Sequence, residues 1–310
     1  MNNEEKVKRP LNILITGGSG FLGSHIADAL TDAGNRVTIF DIKESPHLRG
    51  GQDMVRGDIL DGEELTRRMK GMDVVFHLAA LADLDTAHDK PYETMKINVL
   101  GTANVLEAAR ANNVDRVVFA STIYVNSRTG SFYRVSKHSC ELLLEGYHER
   151  YGLDYTILRF GTLYGLRANE NNSVFRYLKE ALDTGKIEYK GTGEEVREYI
   201  HVRDAARICA KVLDGDFRGK TLILTGHHRM RLEELLNMVK EILDNRDRKI
   251  EITCNPKESK SHYVQTPYSY IPRVGEKIIT NMYCDLGQSL IEILDEIGSK
   301  RSHKEIEIKI

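Results

Sequence analysis

A chain of 310 residues is long enough for one large domain or for a domain carrying a smaller lobe, and 44 Lys plus Arg against 46 Asp plus Glu give it a formal charge of -2. That balance supplies no field to recruit nucleic acid or an anionic membrane, so a small-molecule partner is expected. Four scattered cysteines without a CxxC pair, no apolar run of bilayer length and a polar start, MNNEEKVKRP, point to reduced thiols in a cytosolic protein.

From Leu11 onward, short β-rich apolar runs alternate with longer helical patterns. LNILITG predicts a first strand, and it runs directly into TGGSGFLGSHIADAL, a helix over about residues 21 to 33. Gly17, Gly20 and Gly23 have GxxGxxG spacing. Such glycines allow a tight turn, close approach of the backbone to a pyrophosphate and close packing of helix on strand, with the phosphates over the helix N-terminus. RVTIFD predicts a second strand ending in Asp41, a carboxylate suited to a ribose diol and repulsive to a 2′-phosphate; Lys43 is the nearby cation. A dinucleotide, NAD rather than NADP, is the expected ligand. The plain alternative is a structural turn with a helix-capping acid.

Strands DMVRGD, DVVFHLA, RVVFAST, DYTILRF and TLILTG follow, separated by helices near residues 62 to 70, 92 to 112, 133 to 151 and 203 to 213. In NVLGTANVLEAARANN, Val99, Ala103, Leu106 and Ala109 line one face before Asn112 and Asn113 end the helix. This alternation predicts an α/β Rossmann fold, a doubly wound parallel sheet. It breaks at residues 166–198, a polar segment with the helix SVFRYLKEALDTG, and again after about residue 226, which reads as helix, strand, polar loop and last helix. Residues 1–165 plus 199–225 are thus expected to form the nucleotide-binding domain, and 166–198 plus 226–310 a smaller C-terminal substrate-binding lobe at the carboxyl ends of the strands. The tail after Ile297 reads as a frayed end or a short strand. His227 and His228 lack a matching carboxylate or cysteine arrangement, so no metal site is expected.

FYRVSK sets Tyr133 and Lys137 one helical turn apart on a shared face. A surface ring lying over a lysine stem is the plain reading of that spacing alone.

The glycine spacing, GDILD at 57–61, HLAAL at 77–81, FASTIYV, YRVSK and REYIHVRDAA at 197–206 occur in the order of the extended short-chain dehydrogenase/reductases, and nearly the whole chain resembles the nucleotide-sugar epimerase/dehydratase (UDP-glucose 4-epimerase-like) family. The resemblance implies NAD held by Gly17, Gly20, Phe21, Leu22, Gly23 and Asp41, with Asp58 and Ile59 at the adenine and Leu78, Ala79 and Ala80 under the pyrophosphate. Asn98, opening a helix, joins this set, although it could simply cap that helix. His77 reads as a packed strand-end residue. The resemblance also implies Thr122, Tyr133 and Lys137 as a catalytic trio: Tyr133 takes a proton from a sugar hydroxyl that Thr122 holds, and Lys137 grips the nicotinamide ribose. A phenol with a reference pKa of about 10 would be lowered by roughly 1 to 3 by Lys137 and the positive nicotinamide ring.

Within the family, 4,6-dehydratases follow the catalytic Thr with an Asp-Glu pair. Here Ile123 and Tyr124 stand there, which leaves 4-epimerisation or net oxidation or reduction at one carbon, by hydride abstraction at sugar C4. Tyr133 follows Thr122 by only eleven positions, and the resemblance sets this against a longer covering loop in relatives, suggesting an open pocket for a larger sugar. Thr162 stands where relatives commonly place Asn against the substrate diphosphate. Asn171, Asn172 and Ser173 match the stretch that grips the nucleotide in 4-epimerases, Arg197 matches the diphosphate arginine, and Arg273 is a second candidate. A homodimer through the helices beginning near 92 and 133 is expected. The competing reading is a catalytically silent protein that senses NAD or serves as a scaffold.

Overall fold

The computed structural model describes residues 9–127, 129–255, 275–278 and 282–307. In chain order the first half runs β1 (Asn12–Thr16), α1 (Phe21–Asp32), β2 (Arg36–Asp41), β3 (Gln52–Arg56), α2 (Gly62–Arg68), β4 (Val74–His77), α3 (Leu84–Asp89), α4 (Pro91–Met95), a π-helical turn over Lys96–Leu100, α5 (Gly101–Ala111), β5 (Arg116–Thr122), a 3-10 turn over Ile123–Asn126 and α6 (Ser131–Tyr151). The second half runs β6 (Asp154–Phe160), β7 (Thr162–Tyr164), α7 (Ser173–Thr184), β8 (Lys186–Lys190), β9 (Val196–His201), α8 (Val202–Lys211), β10 (Lys220–Leu224), β11 (His228–Arg231), α9 (Leu232–Asp244), β12 (Glu251–Asn255), β13 (Gly275–Lys277) and α10 (Leu286–Glu307).

Eight strands form one parallel sheet in the order β13-β10-β6-β5-β4-β1-β2-β3. Its central strands β1, β4 and β5 are buried on both faces because both are covered, whereas the edge strands β3 and β13 are polar. Ile13 and Ile15 of β1, Val74 and Phe76 of β4 and Val118 of β5 point into a core with Ile26, Ala27 and Leu30 of α1 and Ile208, Cys209 and Val212 beyond them. The alternate residues Leu14, Val75, Val117 and Phe119 point the other way, against Leu65, Val105, Leu106, Cys140 and Leu144 of the helices on the opposite face. The period of two along each strand builds the two layers.

A separate core joins Val174, Leu178 and Ala181 of α7, Leu235, Leu236 and Val239 of α9 and Leu290, Ile293 and Leu294 of α10, with Tyr164, Ile187, Tyr189 and Tyr199. Two small sheets frame it, β11-β9-β7 and β12-β8. Three features differ from the sequence reading. β13, from the segment expected in the lobe, extends the main sheet to eight strands instead of seven; β7, β9 and β11 pair as an additional sheet; and α10 runs through Glu307 instead of ending near Ile297. Among the described residues, no helix is long and apolar enough to cross a membrane.

Candidate active site

β1 ends at the fully buried Thr16, and the chain turns at Gly17 with φ +74°. A Cβ at Gly17 would lie 2.6 Å from the Ala79 amide nitrogen, and one at Gly23 would collide with the Gly17 carbonyl oxygen, so only glycine lets α1 seat against the turn and the strand beside it. Gly20 is the N-cap of α1; that helix end has no side-chain cap and no acid in its first turn, which leaves the positive end beginning at Phe21 and Leu22 for an anion. Asp41, at the end of β2, accepts from Ser19 N at 3.1 Å and Lys43 N at 3.0 Å, and the Ser19 hydroxyl donates to Lys43 O at 2.7 Å. The carboxylate therefore fixes the glycine turn to the strand that follows it. Asp58 is exposed and accepts from Leu60 N at 2.9 Å, whereas Ile59 is buried against Gly101.

Leu78, Ala79 and Ala80 continue β4 as a half-buried loop, with Leu78 N on Thr16 O at 3.0 Å. Beneath it lies a buried polar chain. The Thr102 hydroxyl donates to Asn98 O (2.5 Å) and sits 2.9 Å from His77 Nε2, which assigns the proton to Nε2 and leaves Nδ1 to accept from Thr16 Oγ1 at 2.7 Å. Burial, followed by the charge of Lys137, pushes the His77 pKa down to about 3, so this imidazole is a neutral structural link. Asn98 does not open a helix. It lies inside the π-turn between α4 and α5, is 1% exposed, and commits its amide to Leu81 N (2.7 Å), Leu81 O (3.0 Å) and Ser136 Oγ (2.9 Å). Its amide thus stands behind the 78–81 loop and ties that loop to α6.

Thr122 ends β5, where its hydroxyl accepts from Tyr124 N at 3.3 Å, and Tyr133 lies in the first turn of α6, near enough for Thr122 to act on its phenol. Lys137, one turn further, is buried; its Nζ donates to Ala120 O at 2.7 Å, lies 4.6 Å from the centroid of the Phe119 ring and 6.0 Å from that of Tyr133. Tyr133, Thr122 and Lys137 are thus brought together. The expected titration differs: although part of the Tyr133 ring is accessible, the phenol is closely enclosed, and burial raises its pKa above 10, with nearby Thr122 acting in the opposite direction. The Lys137 ammonium donates to a backbone carbonyl beside this ring. Burial in turn pushes Lys137 down to about 8, against the charges of Cys140 and Glu141.

Thr162 begins β7 of the three-stranded sheet and is half-buried. Asn171 is exposed and Ser173 starts α7. Asn172 caps α7, accepting from Phe175 N at 3.1 Å and donating to Leu163 O at 2.7 Å, so both ends of its amide serve the lobe's own structure. Arg197 on β9 is half-buried and donates to Val196 O at 3.3 Å. Arg273 lies outside the described residues. Among the described residues, one trio, His201, Asp204 and Cys284, brings possible metal-ligand atoms within 4.8 Å of one another. Arg207 bonds one oxygen of Asp204, and Cys284 N donates to the other at 3.1 Å.

The sequence reading missed Leu81, Ser136, Ser121, Glu141 and Arg159, which hold these residues in place. The signal available for Glu141 was its spacing, one further turn along the face of Tyr133 and Lys137.

Residues 13–223 match the model of the NAD dependent epimerase/dehydratase family. A UDP-N-acetyl-alpha-D-glucosaminuronate decarboxylase from Bacillus cytotoxicus is 29% identical over 256 residues, covering 74% of this chain and 79% of that protein. Among solved structures, the UDP-N-acetylglucosamine 4-epimerase of Methanobrevibacter ruminantium in complex with UDP-N-acetylmuramic acid superposes with a TM-score of 0.79 at 26% identity, covering 94% of this chain and all of that one. The UDP-glucose 4-epimerase of Thermus thermophilus in complex with NAD gives 0.76 at 25% identity, covering 92% and 98%.

Proposed function

Because the chain belongs to the NAD dependent epimerase/dehydratase family, we propose that it removes hydride from C4 of a nucleotide-diphosphate sugar to give a keto sugar, acting as a 4-epimerase or C4 dehydrogenase. The observation that carries this reading is the convergence of Thr122 at the end of β5 with Tyr133 and Lys137 on one face of α6, the Lys137 ammonium being fixed to Ala120 O beside the Tyr133 ring.

The residues present fit NAD: the glycine turn has no room for a Cβ at Gly17 or Gly23, the α1 N-terminus is uncapped, and Asp41 stands at the ribose-binding strand end with its charge set against a 2′-phosphate. Bound there, the cofactor supplies the hydride acceptor and a positively charged ring. Gly17, Gly20, Phe21, Leu22 and Gly23 would hold its pyrophosphate, Asp41 a ribose, Asp58 and Ile59 the adenine side, and Leu78, Ala79 and Ala80 the opposite wall.

Thr122 orients the sugar hydroxyl, and Tyr133 accepts its proton. A phenol raised by enclosure needs added positive charge to ionise near neutral pH, and the site collects it: Lys137 is held one turn away and the bound cofactor adds a second charge. After proton transfer Tyr133 returns the proton to the oxygen when hydride comes back, on the opposite face in an epimerase. Ile123 is buried in the protein and Tyr124 carries no carboxyl group, which argues against loss of water. Thr162, Asn171, Ser173 and Arg197 remain candidates for the nucleotide and diphosphate, with Asn172 supporting them as a cap.

Tyr92, Leu100, Val135 and Leu142 are exposed apolar residues on α4, the π-turn and α6, elements that touch one another. They support pairing of two copies through this face.

The test compares wild type with Tyr133→Phe on a panel of UDP-, GDP-, CDP- and dTDP-sugars, following products by mass spectrometry and the reduced-nicotinamide band by absorbance. The variant should bind NAD as wild type does and lose turnover by at least about a hundredfold. Undiminished turnover would remove Tyr133 from the mechanism, and a wild-type chain inert on every sugar would return the silent NAD-sensing reading.

A further inference from the structure

Behind the trio lies a charge pair that no part of the proposed chemistry uses. Glu141 is 0% and Arg159 1% exposed. Arg159, on β6, donates to Glu141 through Nε (3.0 Å) and Nη2 (2.7 Å), a bidentate fork. The carboxylate also accepts from the Ser121 hydroxyl at 2.5 Å, and Arg159 Nη1 reaches Asn126 Oδ1 at 3.4 Å. Each contact leads to a part of the site: Ser121 precedes Thr122 on β5, Asn126 closes the turn after Thr122, and Glu141 lies one turn beyond Lys137 and two beyond Tyr133 on α6.

We propose that Glu141 and Arg159 are positioning residues for the reaction: the pair locks the end of β5, the turn that follows it and the Tyr133–Lys137 face of α6 into one register. The inference rests on the reading of Thr122, Tyr133 and Lys137 given above. A buried ion pair is weak as a source of stability, since desolvating both charges offsets their attraction. Its geometric product is specific: four strands of contact converge on two carboxylate oxygens and one guanidinium, all directed at the two elements that carry the reacting side chains. The groups facing Lys137 are Tyr133, Cys140 and Glu141 from α6, Ala120 O and the Phe119 ring from β5, and His77 from β4, which burial keeps neutral. Glu141 is the carboxylate among these groups: it acts to raise the Lys137 pKa against the lowering by burial, while Arg159 forks onto it.

The experiment uses the full chain with NAD and the sugar that the panel identifies. Glu141→Gln removes the negative charge and leaves Arg159 unpaired, so Lys137 should release its proton at lower pH and the alkaline limb of the kcat profile should move down. Glu141→Asp keeps the charge and should keep the limb while lowering kcat. The double variant Glu141→Gln/Arg159→Met removes both charges and should regain thermal stability lost in the single variant. In both Gln variants kcat should fall about ten- to a hundredfold, with KM and the NAD dissociation constant within about threefold of wild type. Recovery of kcat together with stability in the double variant would reduce the pair to scaffolding and overturn the proposal. If the wild type turns over no sugar, the functional reading fails separately. The inference is then read from the Lys137 titration in protein carrying 13C-labelled lysine with NAD bound, where a midpoint unmoved by Glu141→Gln overturns it and a lowered one supports it.

Discussion

His25, His77 and His201 are each almost fully enclosed and held neutral, with pKa values pushed by burial from 6.5 to about 4, 3 and 4. In the unfolded chain each takes up a proton below about 6.5, so the unfolded state binds more protons across this interval and stability falls as pH falls. The stability these residues contribute is present above pH 6.5 and is lost progressively toward pH 4 for His25 and His201, and lower still for His77. Urea unfolding should show a lower midpoint at pH 5 than at pH 7.5, in a range where carboxylates have hardly begun to protonate; equal midpoints would contradict their neutral burial. The same enclosure raises Tyr133 and lowers Lys137, so acid and base at this site are pushed toward neutral pH from opposite sides only when positive charge is added next to the phenol.

At the level of elements, the single helix read over about residues 92 to 112 divides into α4, a π-turn and α5. Apolar spacing could not reveal the break, because its cause is a contact seventeen residues away: Asn98 turns inward to satisfy both backbone groups of Leu81. Asn98→Ala would leave those buried groups and Ser136 without partners, and a loss of about 2–3 kcal/mol is expected in chemical denaturation, with weaker NAD binding from the loosened 78–81 loop. A variant of wild-type stability would show that the π-turn stands without the clamp. The short polar edge strand β13 was not legible, but the other seven of the eight strands of the main sheet were, since the burial of its central strands on both faces writes apolar runs into the sequence. So were the glycine turn and Asp41, where local geometry dictates residue type. β7, β9 and β11 were not, being short, mixed in polarity and defined by nonlocal partners; nor was the Glu141–Arg159 pair, whose members lie on different elements 18 residues apart.

Across the whole molecule, two layers cover the faces of the main sheet while a third core binds α7, α9 and α10. The apolar residues left outside on α4, the π-turn and α6 sit on the elements that also hold Asn98, Tyr133 and Lys137, so pairing of two copies there would brace the site from outside. Leu142, 48% exposed, is the probe: Leu142→Glu should shift a dimer toward monomer in light scattering, with the isolated fold intact by circular dichroism. A wild-type chain that is monomeric at micromolar concentration would refute the interface. The sheet edge carries a different lesson. β10 pairs with β13, and β13 arrives only after β11, α9 and β12 have entered the lobe. During synthesis on the ribosome the sheet therefore waits, its edge at β10 unfilled, for residues made after the helix and strands of the lobe that come between. The two cores are consequently completed in interleaved order and not one after the other, and a nascent chain halted before Gly275 leaves the β10 edge bare to neighbouring polypeptides.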